Sequence, residues 1–436
     1  MSSNPFFFGN PVGPAQFFDR RREIRRVTNR IINQGQSSAI VGEPRTGKTS
    51  LLFYLAASET REALYGEQAK SLLFSFLDAQ ALGTQFDQAQ FWNTALQPFH
   101  EQVVVPDPNS LLAQTYKTCH ENNYGAFVLE RLLTQMSAAH WRLVLLVDEF
   151  NDLLHHPILN SAEFFGSMRS LATRSRGALA LVIASRRSLE TLNKDTQEFS
   201  RTGSPYFNFL DEITLGPLSD QDVADLLRTA GDLFSDRDRR FIVNVTGGHA
   251  CLTQITASAL WEAYDSGPSD AELRRTEAGQ RTYDDASRIL SDIWRLWSPA
   301  MRKSFAGVAL ANIPNLLQAH DFNVVQLTQD FRDLSPELRT LAKQGFVAED
   351  STVPCGWRVR TQAFLWWLTD ELTRTVRDEM AFDEWLKAQE WEGLLTSTEK
   401  QQLNKTVGVV IGMLKNGVST LIEAAAKGAG AALVGK

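Results

Sequence analysis

The sequence predicts an α/β fold in which a parallel β-sheet carries helices on both faces. Two uninterrupted apolar runs, residues 143–147 and 179–184, are typical of strands that are buried on both sides. A glycine-containing segment, residues 42–49, lies between a short strand pattern and a helix pattern. Strand and helix patterns then alternate to about residue 215, as in sheets built from β-α-β units. A helical lid, a winged-helix domain and a helical C-terminal tail are predicted to follow.

The most informative segment, residues 42–49, reads Gly-Glu-Pro-Arg-Thr-Gly-Lys-Thr and fits the phosphate-loop pattern G-x-x-x-x-G-K-[ST]. It follows a predicted strand at residues 38–41 and precedes a predicted helix, where backbone N–H groups bind phosphate. Lys48 is predicted to reach the β- and γ-phosphates of ATP, and Thr49 to bind Mg²⁺. The sequence therefore predicts a P-loop NTPase that binds ATP or ADP. The predicted loop contacts are Gly42, Glu43, Pro44, Arg45, Thr46, Gly47, Lys48, Thr49 and Ser50.

The apolar run at residues 143–147 ends in Asp148 and Glu149. An Asp at the carboxyl end of such a strand can hold Mg²⁺, so Asp148 is predicted to be a metal ligand together with Thr49. Glu149 is predicted to be the general base that activates the attacking water. A buried strand that merely ends in a charged turn is the alternative, and the preceding phosphate loop disfavours it.

The run at residues 179–184 ends in Ser185, Arg186 and Arg187. A polar side chain at the tip of a strand beside Asp148 would sense the γ-phosphate, so Ser185 and Arg186 are predicted to contact it. Arg186 would do so through charge-assisted hydrogen bonds. An equally weighted alternative is that Arg186 and Arg187 are solvated surface charges.

Composition excludes several classes of protein. A chain of 436 residues is long enough for about two or three domains. The net charge of -7 disfavours a protein that binds nucleic acid over its whole surface. Three scattered cysteines without metal-ligand spacing indicate reduced thiols and a cytoplasmic location. Neither a signal sequence nor a membrane-spanning helix is predicted.

Four regions are predicted along the chain: an ATPase core at 1–215, a helical lid and linker at 216–285, a winged helix-turn-helix at 286–378 and a helical extension at 379–436. Ser219 is predicted to cap the first lid helix in a capping box with Asp222. Residues 268–285 are charged and lack apolar periodicity, so they are predicted to be a linker.

The winged-helix prediction depends on a helix at residues 324–332, a second helix that starts at Ser335, and a hairpin from residues 346–349 and 356–360. Residues 286–370 carry nine basic and eight acidic side chains, too nearly neutral for strong binding to DNA phosphates. A role in protein contact or regulation is therefore favoured over DNA binding.

Apolar residues in the tail follow a heptad-like spacing, which predicts one amphipathic helix. They are Val407, Ile411, Leu414, Val418, Leu421 and Ala425. Three interpretations stay open: docking on the same chain, pairing with a partner or a second copy, and lying on a membrane surface. The membrane interpretation is disfavoured because few basic residues flank this row of six apolar residues, which we call the seam.

The order of these motifs resembles the prokaryotic branch of the STAND signalling NTPases, within the AAA+ ATPases. Members often begin with an Asn-Pro-Phe and Pro-Val segment before a Phe-Gly-Arg-x-x-Glu motif, and residues 4–6, 11–12 and 18–23 stand in that order, with Asp19 in place of the Gly. The resemblance implies that Phe18 and Arg20 contact the adenine. Residues 246–250 match the lid motif except that Ala250 replaces the usual Pro. Further contacts are predicted from the lid residues Pro217 and His249.

The resemblance implies a switch, in which ADP holds the domains closed and ATP opens them and drives homo-oligomer assembly. Hydrolysis by Glu149 resets the switch slowly, and a separate effector protein delivers the output, in antiphage defence or programmed cell death. One alternative is an AAA+ ATPase that acts on DNA, of the origin-recognition or transposition-regulator type. Another is a non-catalytic nucleotide-binding scaffold, which the presence of Lys48, Asp148 and Glu149 disfavours.

Overall fold

A computed structural model of the chain describes residues 3–18, 20–196, 205–316, 335–353, 355–414 and 417–428. The chain divides into two compact units. The sheet unit comprises Pro11–Glu43 and Gly47–Leu215, and the helical unit comprises Met1–Asn10, Pro44–Thr46 and Gly216–Lys436. The division into four regions that the sequence predicts is finer than these two units and stays a prediction.

The sheet unit is built on five parallel strands, found where the apolar runs predict them. They are β1 (Ser38–Val41), β2 (Leu72–Asp78), β3 (Arg142–Asp148), β4 (Leu179–Ser185) and β5 (Asp211–Thr214). Their order in the sheet is β2-β3-β4-β1-β5, and every neighbouring pair is parallel. All of β4 and all but the first residue of β3 are buried, because helices cover both faces of the sheet.

Nine helices surround this sheet in the described part of the unit. They are α1 (Arg21–Gln34), α2 (Lys48–Ala56), α3 (Ser58–Tyr65), α4 (Gln88–Ala95), α5 (Gln97–Phe99), α6 (Leu111–Glu121), α7 (Ala126–Ala138), α8 (Ala162–Arg174) and α9 (Leu189–Asp195). Successive residues of β4 enter opposite cores: Leu181 packs in one cluster and Val182 in the other. The α/β fold class with helices on both faces is therefore confirmed.

The topology brings three chain segments to one edge of the sheet. β4 lies between β1 and β3, and its last residue, Ser185, is in register with Val41 at the end of β1. Val147 of β3 is paired with Ile183 of β4. Because all three strands run in the same direction, the loop after β1, the Asp-Glu pair at the end of β3 and the tip of β4 meet there.

The helical unit contains ten helices among its described residues. They are α10 (Asp220–Leu227), α11 (Asp236–Thr246), α12 (Ala250–Ser266), α13 (Ala271–Leu296), α14 (Pro299–Leu316), α15 (Ser335–Gln344), α16 (Gln362–Thr375), α17 (Glu379–Ala388), α18 (Ser397–Met413) and α19 (Ser419–Lys427). Ser219 caps α10 in the capping box with Asp222 that the sequence predicts. Aromatic rings of Trp294, Trp297, Phe305 and Phe364 pack together in this unit.

The predicted linker at residues 268–285 is wrong, because helix α13 runs without a break from Ala271 to Leu296. Asp270 caps its N-terminus, accepting hydrogen bonds from the backbone N–H groups of Glu272 and Leu273. The buried face of its first half consists of Arg275, Ala278, Gly279 and Thr282, which are small or polar residues. The apolar periodicity is weak there because close packing of the neighbouring helices requires small side chains.

Part of the predicted winged helix lies outside the described residues. The hairpin is present as the antiparallel pair β6 (Val347–Glu349) and β7 (Trp357–Val359). Helix α15 covers Ser335–Gln344, where the second helix is predicted, and is followed by Gly345, whose φ of +88° favours glycine. The helix predicted at 324–332 falls outside the described residues, so the complete helix-turn-helix stays a prediction.

The tail forms two helices, α18 and α19, instead of the single helix that the spacing predicts. The break follows Leu414, and Gly417 there has a φ of +61°. Val407 and Leu421 of the seam are buried within the helical unit, where α18 packs on α14 and α16 while α19 packs on α11 and α13. The seam is therefore docked on its own chain. Across the described residues, the search for a helix sufficiently long and apolar to cross a membrane finds none.

Candidate nucleotide-binding site

The loop after β1 folds around the ammonium of Lys48. Gly42 continues the sheet by donating its N–H to the carbonyl of Ser185 at 3.2 Å, and Gly47, with a φ of +95°, leads into α2. The Lys48 side chain turns back into the loop, and its Nζ donates to the carbonyls of Gly42 at 2.8 Å and Glu43 at 2.9 Å. The N-terminus of α2 and a buried cation therefore converge, as phosphate binding requires.

Burial is the main influence on Lys48, which is 6% exposed. It lowers the pKa of the ammonium, because a charged group loses solvation there. The carboxylates of Glu149 and Glu43 act in the opposite direction, and Arg186 adds to the lowering. The cation therefore depends on nearby negative charge, which the phosphates of a nucleotide would supply.

The two predicted metal ligands meet across the sheet edge. The hydroxyl of Thr49 donates to Oδ2 of Asp148 at 2.6 Å, and the backbone N–H of Glu149 donates to Oδ1 at 3.0 Å. A hydroxyl and a carboxylate are the hard oxygen donors that Mg²⁺ prefers, so this pair fits the metal that the loop implies. No group of three or more His, Cys, Asp or Glu residues that could hold a metal occurs in the described residues. Other ligands would come from the nucleotide and water.

Arg186 lies at the site and is paired with Glu149. Its Nε donates to Oε2 of Glu149 at 2.9 Å, with the two side chains 32% and 20% exposed. Glu149 itself has a left-handed backbone, φ +46°, which is uncommon for a residue with a side chain. Of the two interpretations of Arg186, the solvated surface charge does not describe this side chain. Whether it contacts a γ-phosphate stays a prediction.

Sequence reasoning missed Asn151, which joins the tips of β3 and β4. It is 7% exposed, and its Oδ1 accepts from the backbone N–H of Arg186 at 3.2 Å, with the Ser185 hydroxyl 3.4 Å away. Ser185 in turn donates to the carbonyl of Arg187 at 2.9 Å, so its hydroxyl is engaged in the turn. The available signal was a single amide side chain two residues after the Asp-Glu pair, within an otherwise apolar and acidic segment.

The chain before α1 lies along helix α2. The N–H of Val12 donates to the hydroxyl of Ser50 at 3.0 Å, and the ring of Phe17 stacks on Tyr54 with 4.8 Å between centroids. Phe18 is half-buried, and Arg20 is buried with a φ of +58°, immediately before α1. This placement keeps both residues in the sheet unit, and their contacts with adenine stay predictions.

The other predicted contacts belong to the helical unit. Arg45 donates to the carbonyl of Gly9, and the ring of Pro217 packs so closely on Gly345 that a Cβ there would lie 2.6 Å from it. His249 precedes α12 and accepts a hydrogen bond from the N–H of Leu252 at 3.5 Å. Nucleotide contacts from these residues, and from Pro44 and Thr46 in the same unit, stay predictions.

Comparison with known protein families decides the assignment of the chain. The model of the family described as Novel STAND NTPase 2 matches residues 30–260, slightly more than half of the chain. The chain belongs to this family. The matched residues contain the phosphate loop, the Asp-Glu pair and the tip of β4, so the predicted resemblance to STAND NTPases is confirmed. No curated protein matches the chain.

Several solved structures are similar to the chain at low sequence identity. A Walker-type ATPase of Pyrococcus abyssi is 15% identical, with a TM-score of 0.51 over 84% of this STAND NTPase and 99% of that chain. The ORC2 protein of Aeropyrum pernix, solved with ADPNP and ADP, is 14% identical, with a TM-score of 0.42 over 83% of this chain and 96% of that one. A STAND protein with a tetratricopeptide repeat sensor from Pyrococcus horikoshii is 13% identical, with a TM-score of 0.36 over 84% and 46%.

Proposed function

We propose that this STAND NTPase is an ATP-driven switch that hydrolyses ATP slowly and changes conformation or assembly between its ADP and ATP forms. Membership of the family supports nucleoside triphosphate hydrolysis. The choice of ATP, the slow turnover and the switching are our proposal.

One observation carries the proposal, namely the ion pair between Arg186 and Glu149. A general base must be free to accept a proton from water, and a guanidinium at 2.9 Å occupies one oxygen of Glu149. A γ-phosphate carries more negative charge than a carboxylate and attracts the same guanidinium. ATP would therefore draw Arg186 away from Glu149, whereas ADP, which has no γ-phosphate, would leave the pair in place.

This exchange gives ATP and ADP different interaction energies with the tip of β4. A ligand shifts a conformational equilibrium only by its differential affinity for the two states, and a charge-assisted hydrogen bond supplies about 1.5–3 kcal/mol. The lost contact with Glu149 reduces that amount, so a change of at most roughly a hundredfold in the equilibrium follows. The pair also restrains Glu149 until the γ-phosphate is present.

Other residues of the site have supporting tasks. Lys48 would bind the β- and γ-phosphates, and Thr49 and Asp148 would hold Mg²⁺. When bound, the metal neutralises developing charge on the phosphates. Glu149 would accept the proton of the attacking water once Arg186 has left it.

The output is proposed to pass to a separate effector protein or to a homo-oligomer of the chain. Antiphage defence or programmed cell death, the setting that the family resemblance implies, extends the same proposal.

Two substitutions test the assignment of the site. Lys48→Ala should lose ATP binding, because the helix N-terminus keeps its dipole but loses the cation. Glu149→Gln should bind ATP with an affinity close to that of the parent chain and hydrolyse it at least a hundredfold more slowly, about the size of a general-base contribution. Binding is measured by calorimetry and hydrolysis by phosphate release. Hydrolysis by Glu149→Gln at the parent rate would refute the general-base role.

A further inference from the structure

The side chain of Asn151 connects the ends of two strands. One end carries Glu149, the proposed general base, and the other carries Arg186, the proposed γ-phosphate sensor. It lies two residues after Glu149, in the turn formed by Phe150–His155, and is buried. Its Oδ1 accepts from the backbone N–H of Arg186 at 3.2 Å. The hydroxyl of Ser185 lies 3.4 Å from the same oxygen but gives its single proton to the carbonyl of Arg187 at 2.9 Å. One amide oxygen of the β3 turn therefore holds the backbone of Arg186, the residue that follows β4.

The orientation of this amide is fixed from its other side. Nδ2 of Asn151 donates to Oδ1 of Asp152 at 2.7 Å. A rotation that exchanged oxygen and nitrogen would place the NH₂ group against the N–H of Arg186 and the carboxylate against a carbonyl oxygen. Both contacts are repulsive, so Asp152 keeps the acceptor directed at β4.

We propose that Asn151 is a positioning residue that sets where the guanidinium of Arg186 can reach, and so couples γ-phosphate sensing to the general base. This inference rests on the proposed switch function. Fixing the backbone of Arg186 limits its side chain to a small arc that includes Glu149 at 2.9 Å. Without this hydrogen bond to Asn151, which we call the anchor, the end of β4 gains conformations in which the guanidinium contacts neither Glu149 nor the γ-phosphate. The cost of losing the anchor is conformational entropy, and it weakens the binding of ATP more than the binding of ADP.

The test is a double-mutant cycle on nucleotide discrimination. Discrimination is the ratio of the dissociation constant for ADP to that for the non-hydrolysable analogue with an imido group between the β- and γ-phosphates, both with Mg²⁺. Arg186→Ala should lower this ratio about tenfold or more, the size of a charge-assisted hydrogen bond. Asn151→Ala should lower it about fivefold, because one buried acceptor is lost. The double variant should match Arg186→Ala alone, since without the guanidinium the anchor has nothing to position.

A matched control separates positioning from general stability. Asn193 makes a comparable bond elsewhere in the sheet unit, where its Oδ1 accepts from the backbone N–H of Phe207 at 3.0 Å. Asn193→Ala should lower thermal stability while leaving the discrimination ratio within about twofold of the parent value. Asn151→Leu fills a similar volume without an acceptor, and it replaces Asn151→Ala in the cycle if the alanine variant does not fold.

Each outcome has one meaning. If Arg186→Ala leaves the ratio unchanged, Arg186 is not a γ-phosphate sensor and the proposed function fails. If Arg186→Ala lowers the ratio but Asn151→Ala and Asn151→Leu do not, the positioning role of Asn151 is refuted while the switch stands. The positioning role is also refuted if the effects of the two substitutions add in the double variant, because independent residues give additive effects.

Discussion

The ion pair between Arg186 and Glu149 should contribute a measurable coupling energy to local stability at the sheet edge. The two side chains are 32% and 20% exposed, so the pair lies between the surface and the buried limits. Exposed pairs contribute about 0.2–1 kcal/mol, and removing one partner of a buried pair costs about 3–5 kcal/mol. We expect a coupling energy of about 1–2 kcal/mol between these residues, of which solvent screening removes part in high salt.

The assay compares the parent chain with Arg186→Met, Glu149→Gln and the double variant. Hydrogen exchange of peptides that cover the ends of β3 and β4 reports the local free energy of opening, which avoids assuming that both units unfold together. The two single substitutions should each lower it, and the double variant should lower it by less than their sum. A coupling energy below about 0.3 kcal/mol would mean that the pair is not energetically connected and that its exchange cannot drive a switch.

Three further predictions concern other parts of the chain. Replacing Asp238 by Asn should cost about 3–5 kcal/mol, because it breaks a buried pair with Arg275 at 3.1 Å. Burial alone raises the pKa of Asp238, but hydrogen bonds from Ser235, Tyr264 and Arg275 outweigh it and leave that pKa lowered. The stability from this pair is present above the ordinary Asp pKa of about 3.9 and is lost as pH falls through the lowered pKa of Asp238. Acid titration followed by circular dichroism should show this loss of stability in the parent chain but not in the Asn variant. Gly279→Leu should detach α19, because even a Cβ at that position would lie 2.7 Å from Ile422. Limited proteolysis should then cut the tail sooner. Adding Ile422→Ala to the Gly279→Leu chain should restore protection. Because burial lowers the pKa of Lys48, the ammonium loses its proton at lower pH than an exposed lysine, and ATP affinity measured by calorimetry should fall as the buffer is made alkaline, whereas Lys48→Arg should show no such fall.

The sheet unit follows the sequence closely because its signals are local. Strands β3 and β4 are uninterrupted apolar runs, which few other structures tolerate. The phosphate loop also needs particular residues in a fixed order, so Lys48 and Thr49 could be predicted from spacing, and Asp148 from the end of its strand. Their meeting at one edge then follows from the shared direction of parallel strands.

Features that the sequence did not predict depend on contacts between distant residues. Helix α13 buries Ala278 and Gly279, whose small side chains give a weak apolar signal, and Gly279 faces Ile422 of α19, Phe241 of α11 and Trp366 of α16. The seam of the tail is interrupted after Leu414, although its spacing of apolar residues continues through the break. Asn151 belongs to the same class, since an amide is recognised as a positioning group only when the N–H of Arg186 lies beside it.

The most direct test of the switch is the solution mass of the purified chain, measured by light scattering, with ADP and with ATP. Glu149→Gln is used for the ATP state because it should bind ATP without consuming it, and Lys48→Ala with ATP is the control. Of these samples, only Glu149→Gln with ATP should form a defined larger assembly. When an effector is supplied, the same sample should bind it. An unchanged mass and an unchanged hydrodynamic radius in Glu149→Gln that is saturated with ATP would contradict the claim that ATP switches this protein.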